Sequence, residues 1–376
     1  MRKRSRGLRR RGDVWHLNGI RIKGYGALYE STGESDLAQA EKYRDHRVRQ
    51  IKDGIIYGVR PSIQFRDAAA HYLETQTKKS LVDEVIHLDQ AVAIIGDTPL
   101  HLIHDETLRP FVAWCKKRGN KSKTIKLKLG VIRRILNLCA TMYRDKASGL
   151  TWLQAAPKLT MPTVQDAKPP YPLTWEEHRL LFPEFPEHLG RMALFAVNTG
   201  CRDAEVCGLR WDMEQRVLEL GVSVFVLPPA STKNRRPKVV VLNAIAAGVI
   251  EQCRGEHSGY VFTYPRQTGR APVTSMLNTA WVNARDRAAD KYRERIGKAA
   301  PDGFKTLTPH ALRHTFSRRL RALGVAHETR QDLLGHVNRN ITTEYSGAEL
   351  RELLEAVRKL EAPAESAPAL TLLRIA

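Results

Sequence analysis

The segment TPHALRHTFSRRL, residues 308–320, places His310, Arg313 and His314 within one predicted helical turn. Two histidines four residues apart can bind zinc, whereas a histidine and an arginine three residues apart can bind a phosphate. A hydrolytic zinc helix usually carries a glutamate next to its first histidine, where Ala311 stands here. Arg313 would also repel a metal ion. The segment therefore favours a phosphate, and the sequence predicts no metal site.

Three other stretches carry side chains that suit a phosphate site. TGCRDAEVCGLRW places Arg202 three residues before Glu205, a spacing at which the acid can hold the orientation of the arginine. STKNRRPKV places Lys233 at a predicted hairpin tip, and DLLGHVNRNITTEYSG has His336 just after a predicted helix stop and Tyr345 nine residues on. Taken singly, Arg202 with Glu205 would be an ordinary ion pair and Lys233 a solvated lysine. His336 would be a helix cap and Tyr345 a half-buried aromatic. Their order in one region is the informative feature.

Taken together, these stretches resemble the motifs of the tyrosine recombinase, or phage integrase, family, of the prophage-integrase type. The motifs stand here as TGCRDAEVCGLRW, HALRHTF, LLGH and TTEYSG. The resemblance is strong over residues 174–360 and looser towards the N-terminus. It implies a supporting role for Glu205 and a set of six catalytic residues, namely Arg202, Lys233, His310, Arg313, His336 and Tyr345.

The resemblance also implies what each residue does. Tyr345 would attack the scissile DNA phosphate, and the two arginines would bind its non-bridging oxygens. The two histidines would assist proton transfer and Lys233 would protonate the leaving 5′-oxygen. A phosphotyrosyl link conserves the energy of the DNA bond, so rejoining needs no ATP and no cofactor is expected. The chain has no GxxxxGK[ST] phosphate loop, in keeping with this expectation.

The charge of the chain points independently to nucleic acid. Its 61 Lys and Arg exceed its 40 Asp and Glu, giving a formal charge of +21. Residues 1–60 hold fifteen basic residues against seven acidic ones, and residues 107–144 hold eleven and no acid. Two basic modules predict that the protein contacts DNA in more than one place. The predicted DNA-binding residues are Arg9, Arg10, Arg11, Lys116, Lys117, Arg118, Lys121, Lys123, Lys126, Arg235 and Arg236.

The fold class predicted is multidomain and mainly α with small β elements. A small β-sheet with one helix is expected first, then a helical core-binding domain, then a mixed α/β catalytic domain of tyrosine-recombinase type. The predicted divisions are 1–60 for an arm-type DNA-binding domain with a basic tail, 61–156 for the core-binding domain, 157–173 for a Pro-rich linker, 174–360 for the catalytic domain and 361–376 for a flexible C-terminal tail.

Local signals place several elements. The pair Asn18-Gly19 predicts a tight hairpin turn, and Ser35 and Gly54 are the expected start and stop of the first helix. In residues 122–144 an apolar stripe predicts one amphipathic helix, with Lys128 among the basic residues off the stripe. Thr174 followed by a glutamate three residues later predicts a capping box.

The favoured function is a site-specific recombinase that integrates or excises a mobile element through a covalent 3′-phosphotyrosyl intermediate and a Holliday junction. Alternatives are a resolvase-type recombinase, a type IB topoisomerase and a catalytically silent, architectural DNA-binding protein. The expected partners are double-stranded DNA at core and arm sites, three further copies in a homotetramer, and DNA-bending proteins. Five cysteines without a CxxC pair predict reduced, packed thiols. With no apolar run long enough to span a membrane, a cytoplasmic, nucleoid-associated protein is expected.

Overall fold

The computed structural model describes residues 5–78, 81–146, 148–335 and 346–361. The chain divides into two compact units, Met1–Lys168 and Pro169–Ala376. Within the described ranges the chain is mainly helical, with small antiparallel sheets. The predicted fold class is confirmed.

Among its described residues, the first unit contains three strands followed by five α-helices. Their bounds are β1 Leu8–Arg11, β2 Val14–Ile22, β3 Gly26–Ser31, α1 Leu37–Tyr57, α2 Phe65–Thr75, α3 Leu81–Ile95, α4 Asp105–Lys117 and α5 Ser122–Thr141.

The three strands form an antiparallel sheet in the order β1-β2-β3, and α1 packs against β2. The sheet and the helix share an apolar core formed by Leu17, Ile22, Leu28 and Ile51. The predicted module of a small sheet with one helix is therefore present. The basic run Arg9–Arg11 lies in β1, so these residues form a strand and not the flexible tail that the sequence predicted.

The Asn18-Gly19 pair does not form the predicted hairpin turn. Both residues lie inside β2, and the pairing with β3 shifts between Asn18 and Ile20. Gly19 has a φ of 72°, in the left-handed region, so the glycine permits a bulge in a continuous strand. The turn between β1 and β2 instead consists of the two residues between the paired Arg11 and Val14.

The ends of α1 also differ from the prediction. Its N-cap is Asp36 and not Ser35, because the Asp36 carboxylate accepts a hydrogen bond from a backbone N–H of the first turn. The helix continues through Gly54 and stops at Gly58, which has a φ of 66°. Gly54 is buried, and a Cβ there would lie 2.8 Å from the Cβ of Ser148. This glycine therefore serves close packing rather than helix termination.

Helices α2 to α5 pack around one apolar core, which confirms the helical prediction for this region. The predicted stripe of α5 is buried from Ile125 to Cys139. The prediction that Lys128 lies off the buried apolar stripe is wrong, because the Lys128 side chain is only 5% exposed. Its Nζ donates to the Asn120 side-chain oxygen at 2.7 Å and lies 5.5 Å from the ring centroid of Trp114. An amide and an aromatic ring together solvate the buried ammonium group.

The Pro-rich residues 157–173 have no regular secondary structure. The backbone N and the hydroxyl of Thr160 donate to the Asp105 carboxylate at 2.9 and 2.6 Å. The backbone N of Ser122 donates to the Asp166 carboxylate at 2.8 Å. These bonds attach the first part of the stretch to the N-terminal turns of α4 and α5, so it is fixed on the first unit rather than free.

The second unit contains nine helices and five strands among its described residues. Their bounds are α6 Trp175–Leu181, α7 Glu187–Thr199, α8 Asp203–Cys207, β4 Glu214–Val217, β5 Val222–Leu227, β6 Lys238–Val241, α9 Ala244–Cys253, β7 Thr263–Arg266, β8 Gly269–Pro272, α10 Thr279–Ile296, α11 Asp302–Lys305, α12 His310–Ala322, α13 His327–Leu334 and α14 Gly347–Arg358. The predicted C-terminal tail lies outside the described residues, apart from Glu361.

The second unit is built around α7, which packs against α9 and α12. Strands β4, β5 and β6 form an antiparallel sheet, and β7 pairs with β8 in a separate hairpin. The predicted capping box at the start of α6 is confirmed, since the Thr174 hydroxyl accepts from the Glu177 N–H and the Glu177 carboxylate accepts from the Thr174 N–H. The buried α7 gives the loops at its C-terminal end a rigid base.

The charged stretch of residues 285–307, to which the sequence assigns no role, forms the greater part of α10 together with α11. Trp281, Ala284 and Ala288 bury one face of α10 in the core of the unit. On the exposed side, Arg287 and Lys291 both form salt bridges with the Glu184 carboxylate. The high charge of this stretch is thus the solvated face of an amphipathic helix.

The five cysteines are all free and buried, which confirms the prediction of packed thiols. Burial raises the pKa of the Cys139 and Cys207 thiols to about 12. These thiols therefore remain protonated at neutral pH and are poor nucleophiles. Within the described ranges, no helix combines the length and the apolar character that crossing a membrane requires.

Candidate active site

The junction between α7 and α8 positions Arg202. Helix α7 ends at Gly200, which has a φ of 66°, and Arg202 is the N-cap of α8. A Cβ at residue 200 would lie 2.4 Å from the Phe316 ring, so both the backbone angle and the packing require glycine. The chain therefore turns sharply and presents Arg202 at the start of a short helix.

Glu205 holds Arg202 by two hydrogen bonds. The Arg202 backbone N donates to Glu205 Oε2 at 3.0 Å, and the guanidinium Nη1 donates to Oε1 at 2.5 Å. The Glu205 side chain is 2% exposed, whereas that of Arg202 is 21% exposed. The acid is thus a buried anchor, and the arginine keeps the rest of its guanidinium available to a ligand.

Arg313 lies in the first turns of α12 and is 4% exposed. Its Nη1 donates to the Gly200 carbonyl at 2.7 Å and its Nη2 to the Leu334 carbonyl at 2.6 Å. Burial, and then the charge of Arg202, lower the Arg313 pKa to about 10. The guanidinium remains charged at neutral pH, and the last residues of α7 and α13 hold it in place.

His310 is the first residue of α12 and lies in the field of several cations. Desolvation lowers its pKa below the ordinary value, and His314, Arg313, Arg202 and Lys233 each lower it further. The His314 ring meets the His310 ring edge-on, with centroids 4.6 Å apart. The structure therefore brings His310, both arginines and Lys233 into one electrostatic neighbourhood, although they are up to about 110 residues apart in sequence. His310 is a neutral imidazole at neutral pH.

Lys233 is exposed at the tip between β5 and β6, as the sequence predicts. The Thr232 hydroxyl closes this tip by donating to the Arg236 carbonyl at 2.6 Å. The next residue, Asn234, donates from its side chain to the Gly335 carbonyl at 2.8 Å. The tip is therefore attached to the end of α13, while the Lys233 amine extends into solvent.

Lys238 is a residue of this site that the sequence analysis did not identify. It opens β6, is 4% exposed, and its Nζ donates to Glu205 Oε2 at 2.9 Å. Burial alone would raise the Glu205 pKa, but Lys238 and Arg202 outweigh burial and hold the pKa below its ordinary value. The sequence offers one weak signal, a lysine that opens an apolar strand, where the alternation of side chains can turn it towards the core.

His336 and Tyr345 lie outside the described residues. The structure does describe the elements on either side of them. Helix α13 ends at Gly335 with a φ of 62°, as predicted, and α14 starts after Ser346, which forms a capping box with Glu349.

The predicted DNA-binding residues fall on three exposed surfaces. Strand pairing puts Arg9 opposite His16 and Arg11 opposite Val14, on the sheet face away from the core residues Leu8 and Leu17, whereas Arg10 shares the core-side face. Lys116, Lys117, Arg118, Lys121, Lys123 and Lys126 are exposed around the end of α4 and the start of α5. Arg235 and Arg236 are exposed at the hairpin tip beside Lys233.

The fold and the matched family model define the class of protein. Residues 184–351 match the model of the phage integrase family. This segment contains Arg202, Lys233, His310 and Arg313, so the clustered cations lie inside the family domain. Residues 184–351 thus form a phage integrase family domain, and the chain is similar to tyrosine recombinases.

Individual relatives agree with this assignment. The chain is similar to the integrase of Salmonella phage P22, with 24% identity over 389 residues that cover 94% of this chain and 93% of that protein. It is also similar to the tyrosine recombinase XerC of Agrobacterium fabrum, with 27% identity over 255 residues that cover 66% of this chain and 74% of that one.

Two solved structures show the same fold. A lambda integrase tetramer bound to a Holliday junction matches with a TM-score of 0.55 and 13% identity, covering 92% of this chain and 99% of that one. The Tn1549 transposon integrase in complex with circular intermediate DNA matches with a TM-score of 0.52 and 19% identity, covering 77% and 98%.

Proposed function

We propose that this protein is a site-specific DNA recombinase that cuts and rejoins DNA through a covalent bond to Tyr345. The observation that carries the proposal is the convergence of the cations Arg202, Arg313 and Lys233 on His310, whose pKa they lower. Four groups of this kind suit a phosphodiester, whose transition state gathers negative charge on the phosphoryl oxygens. The buried Glu205 orients one arginine, and backbone carbonyls orient the other.

The reaction we propose is an exchange of phosphate esters. The Tyr345 oxygen attacks the phosphorus, a P–O bond to the tyrosine forms, and the bond to the 5′-oxygen of the DNA breaks. Arg202 and Arg313 bind the two non-bridging oxygens with parallel N–H donors. A 5′-hydroxyl from another strand then attacks the phosphotyrosyl bond and releases the tyrosine. One ester replaces another in each step, so no ATP is consumed.

Two protons move in the cleavage step. A phenol has a pKa of about 10, so Tyr345 needs a base or a field of positive charge to react at neutral pH. The neutral His310 imidazole can accept that proton, and the surrounding cations stabilise the phenolate. Lys233, an ammonium group on an exposed hairpin tip, can reach the leaving 5′-oxygen and protonate it. His336 would bind a phosphoryl oxygen and assist these transfers.

We further propose that the DNA is held at several places. The outer face of β1–β3 carries Arg9 and Arg11 and would bind arm-type DNA sites, whereas the basic ends of α4 and α5 would bind the core site. The boundaries 1–60, 61–156, 157–173, 174–360 and 361–376 describe the functional division we propose. Four protomers would act together on two duplexes, with accessory DNA-bending proteins.

A suicide DNA substrate tests the proposal. The core site is mapped from the junctions of the integrated element, and a nick is placed so that the cleaved fragment diffuses away. Wild-type protein is expected to form a covalent adduct that survives denaturation, and Tyr345→Phe is expected to bind the DNA without forming one. If wild-type protein binds the mapped site and forms no adduct, the protein is a silent DNA-binding factor and the proposal is wrong.

A second substrate separates recombination from topoisomerase chemistry. When a second duplex with a free 5′-hydroxyl is added, a recombinase joins strands from the two duplexes. Religation confined to the original duplex would favour a type IB topoisomerase instead.

A further inference from the structure

Lys238 is a buried cation for which the proposed chemistry has no direct use. Its amine is directed into the protein, where it donates to Glu205 Oε2 at 2.9 Å and lies 3.7 Å from the buried Cys201 sulfur. Taking an ammonium group out of water costs several kcal/mol unless its partner is well placed. A lysine at this position therefore does something that an apolar residue of the same size would not do.

The partner of Lys238 is Glu205, which anchors Arg202. The phosphate clamp is our name for Arg202 and Arg313, the two arginines proposed to bind the phosphate. Glu205 uses Oε1 for the Arg202 guanidinium, and it uses Oε2 for both the Lys238 ammonium and the Arg202 backbone N–H. The carboxylate is thus shared between two cations. Other ionisable groups that face it are the buried Cys201 thiol, 3.7 Å from the Lys238 Nζ, and Arg313, whose pKa Glu205 raises.

The aliphatic part of Lys238 makes a second contact with the site. A Cβ placed on Gly335 would lie 3.0 Å from Lys238 Cδ, so the lysine chain packs directly against that glycine. Gly335 also accepts the hydrogen bond from Asn234, and the Leu334 carbonyl accepts from Arg313. The residues just before His336 are therefore fixed by three side chains of the site, of which Lys238 is one.

We infer that Lys238 is a positioning residue of the phosphate clamp and acts through Glu205; this inference rests on the proposed recombinase function. A carboxylate shared with Lys238 orients Arg202 without cancelling its charge. When Lys238 is absent, Arg202 is the cation that still donates hydrogen bonds to the buried carboxylate among the described residues. The guanidinium then forms a full ion pair with Glu205, and less positive potential remains for the transition state.

The first experiment compares Lys238→Met with wild-type protein on the suicide DNA. The dissociation constant for DNA is expected to change less than about twofold, because many exposed Lys and Arg residues set it. The rate of adduct formation is expected to fall about tenfold, less than the ~10²–10³-fold typical of losing a donor that contacts the transition state. Lys238→Arg keeps the charge and is expected to retain most of the rate.

Lys128→Met is the matched control. Lys128 is also a buried lysine, at 5% exposure, but it lies in the first unit and donates to Asn120 rather than to a carboxylate. Its replacement removes a buried ammonium group without touching the clamp, so it is expected to leave the cleavage rate of bound DNA unchanged. Equal losses of rate in Lys238→Met and Lys128→Met would overturn the inference.

A double-mutant cycle decides whether Lys238 acts through Glu205. In the Glu205→Gln background the carboxylate is gone, so adding Lys238→Met is expected to change the rate less than about twofold. A further tenfold loss in the double variant would overturn the inference, because Lys238 would then act independently. This comparison holds even if Lys238→Met alone does not fold, since the double variant contains neither buried charge.

The reaction of the wild-type protein distinguishes a failure of the proposed recombinase function from a failure of the inference about Lys238. If wild-type protein forms no adduct with the mapped site, the proposed function fails and the role of Lys238 fails with it. If wild-type protein reacts and Lys238→Met reacts at the same rate, the inference alone is wrong.

Discussion

Arg313 stabilises the fold through backbone carbonyls and, in the proposed reaction, also binds the phosphate. Two of its five N–H groups donate to the carbonyls of Gly200 and Leu334, and no other described residue accepts a hydrogen bond from the remaining three. A lysine has no planar fork and cannot span both carbonyls. Because the same guanidinium holds two buried backbone carbonyls and, in the proposed reaction, binds the phosphate, we expect that another cation cannot replace it.

We expect Arg313→Lys to slow adduct formation about 10²–10³-fold, the loss typical of one preorganised donor. The measurement is single-turnover cleavage of the suicide DNA, together with thermal unfolding. Arg321→Lys is the matched control, since Arg321 is exposed on the same helix. A similar loss of rate in the two variants would contradict the role of Arg313.

The shifted pKa of His310 gives a second prediction for a single residue. Desolvation and then the nearby cations disfavour the imidazolium form and lower the pKa, so the ring stays neutral to a more acidic pH than an ordinary histidine. An NMR titration of ¹³C-labelled histidine in DNA-free protein should place the midpoint of His310 below the ordinary value near 6.5. Lys233→Met, which removes one of the cations, should move the midpoint upward.

The His310 signal is assigned from its loss in His310→Gln. A midpoint at or above the ordinary value, or no change in Lys233→Met, would show that the cations do not converge on this ring.

At the scale of secondary-structure elements, the junction of α7 and α8 depends on one glycine. Gly200 has a left-handed φ, accepts a hydrogen bond from Arg313 and leaves no room for a Cβ beside Phe316. Gly200→Ala should therefore combine the backbone cost of about 1–2 kcal/mol with an overpacking cost of similar size. We expect a clear fall in the melting temperature of the second unit and a loss of cleavage.

Gly221 provides the control for this element. Its φ of 64° is nearly the same, but nothing lies within 4 Å of a Cβ built there. Gly221→Ala should therefore show the backbone cost alone. Equal destabilisation by the two substitutions would mean that packing against Phe316 contributes nothing.

Local signals in the sequence predicted elements whose cause is local. The capping box at Thr174 and the stop at Gly335 were predicted correctly because short-range hydrogen bonds and a left-handed φ determine them. Asn18-Gly19 and Gly54 were misread because pairing with β3 and packing against residue 148 override the same residue preferences. The conformation at these positions depends on contacts with residues that are distant in the sequence, and a single sequence does not reveal such contacts.

The candidate site also contains residues that motifs in the sequence identify and one residue that only the fold reveals. Motifs identified Arg202 and Arg313, whose residue type suits the phosphate that we propose they bind. Lys238 was not identified because a position at the start of an apolar strand does not by itself distinguish a buried lysine from a solvated one. Its role became visible when β6 placed it against α8, 33 residues earlier in the chain.

At the scale of the whole molecule, both units carry exposed positive charge, and we propose that both contact DNA. Exposed basic residues lie on β1, around the ends of α4 and α5, and on the hairpin tip of the second unit. Each phosphate contact releases counterions, so binding should weaken steeply as salt concentration rises. The slope of log affinity against log salt concentration is proportional to the number of these contacts. The change in slope when one basic surface is removed gives the number of contacts that this surface makes.

A truncation that starts at residue 59 separates the contributions. It removes β1–β3 and all of α1, which ends at Gly58, and it leaves the apolar core of α2–α5 complete. We expect core-site cleavage at the wild-type rate, a smaller salt slope on DNA that carries arm sites, and a loss of integration. Arg9→Ala with Arg11→Ala should reproduce that loss, whereas Arg10→Ala on the opposite face should not. Equal integration by the truncated and the full-length protein would show that the N-terminal sheet does not bind DNA in the reaction, and that the charge on β1 serves another purpose.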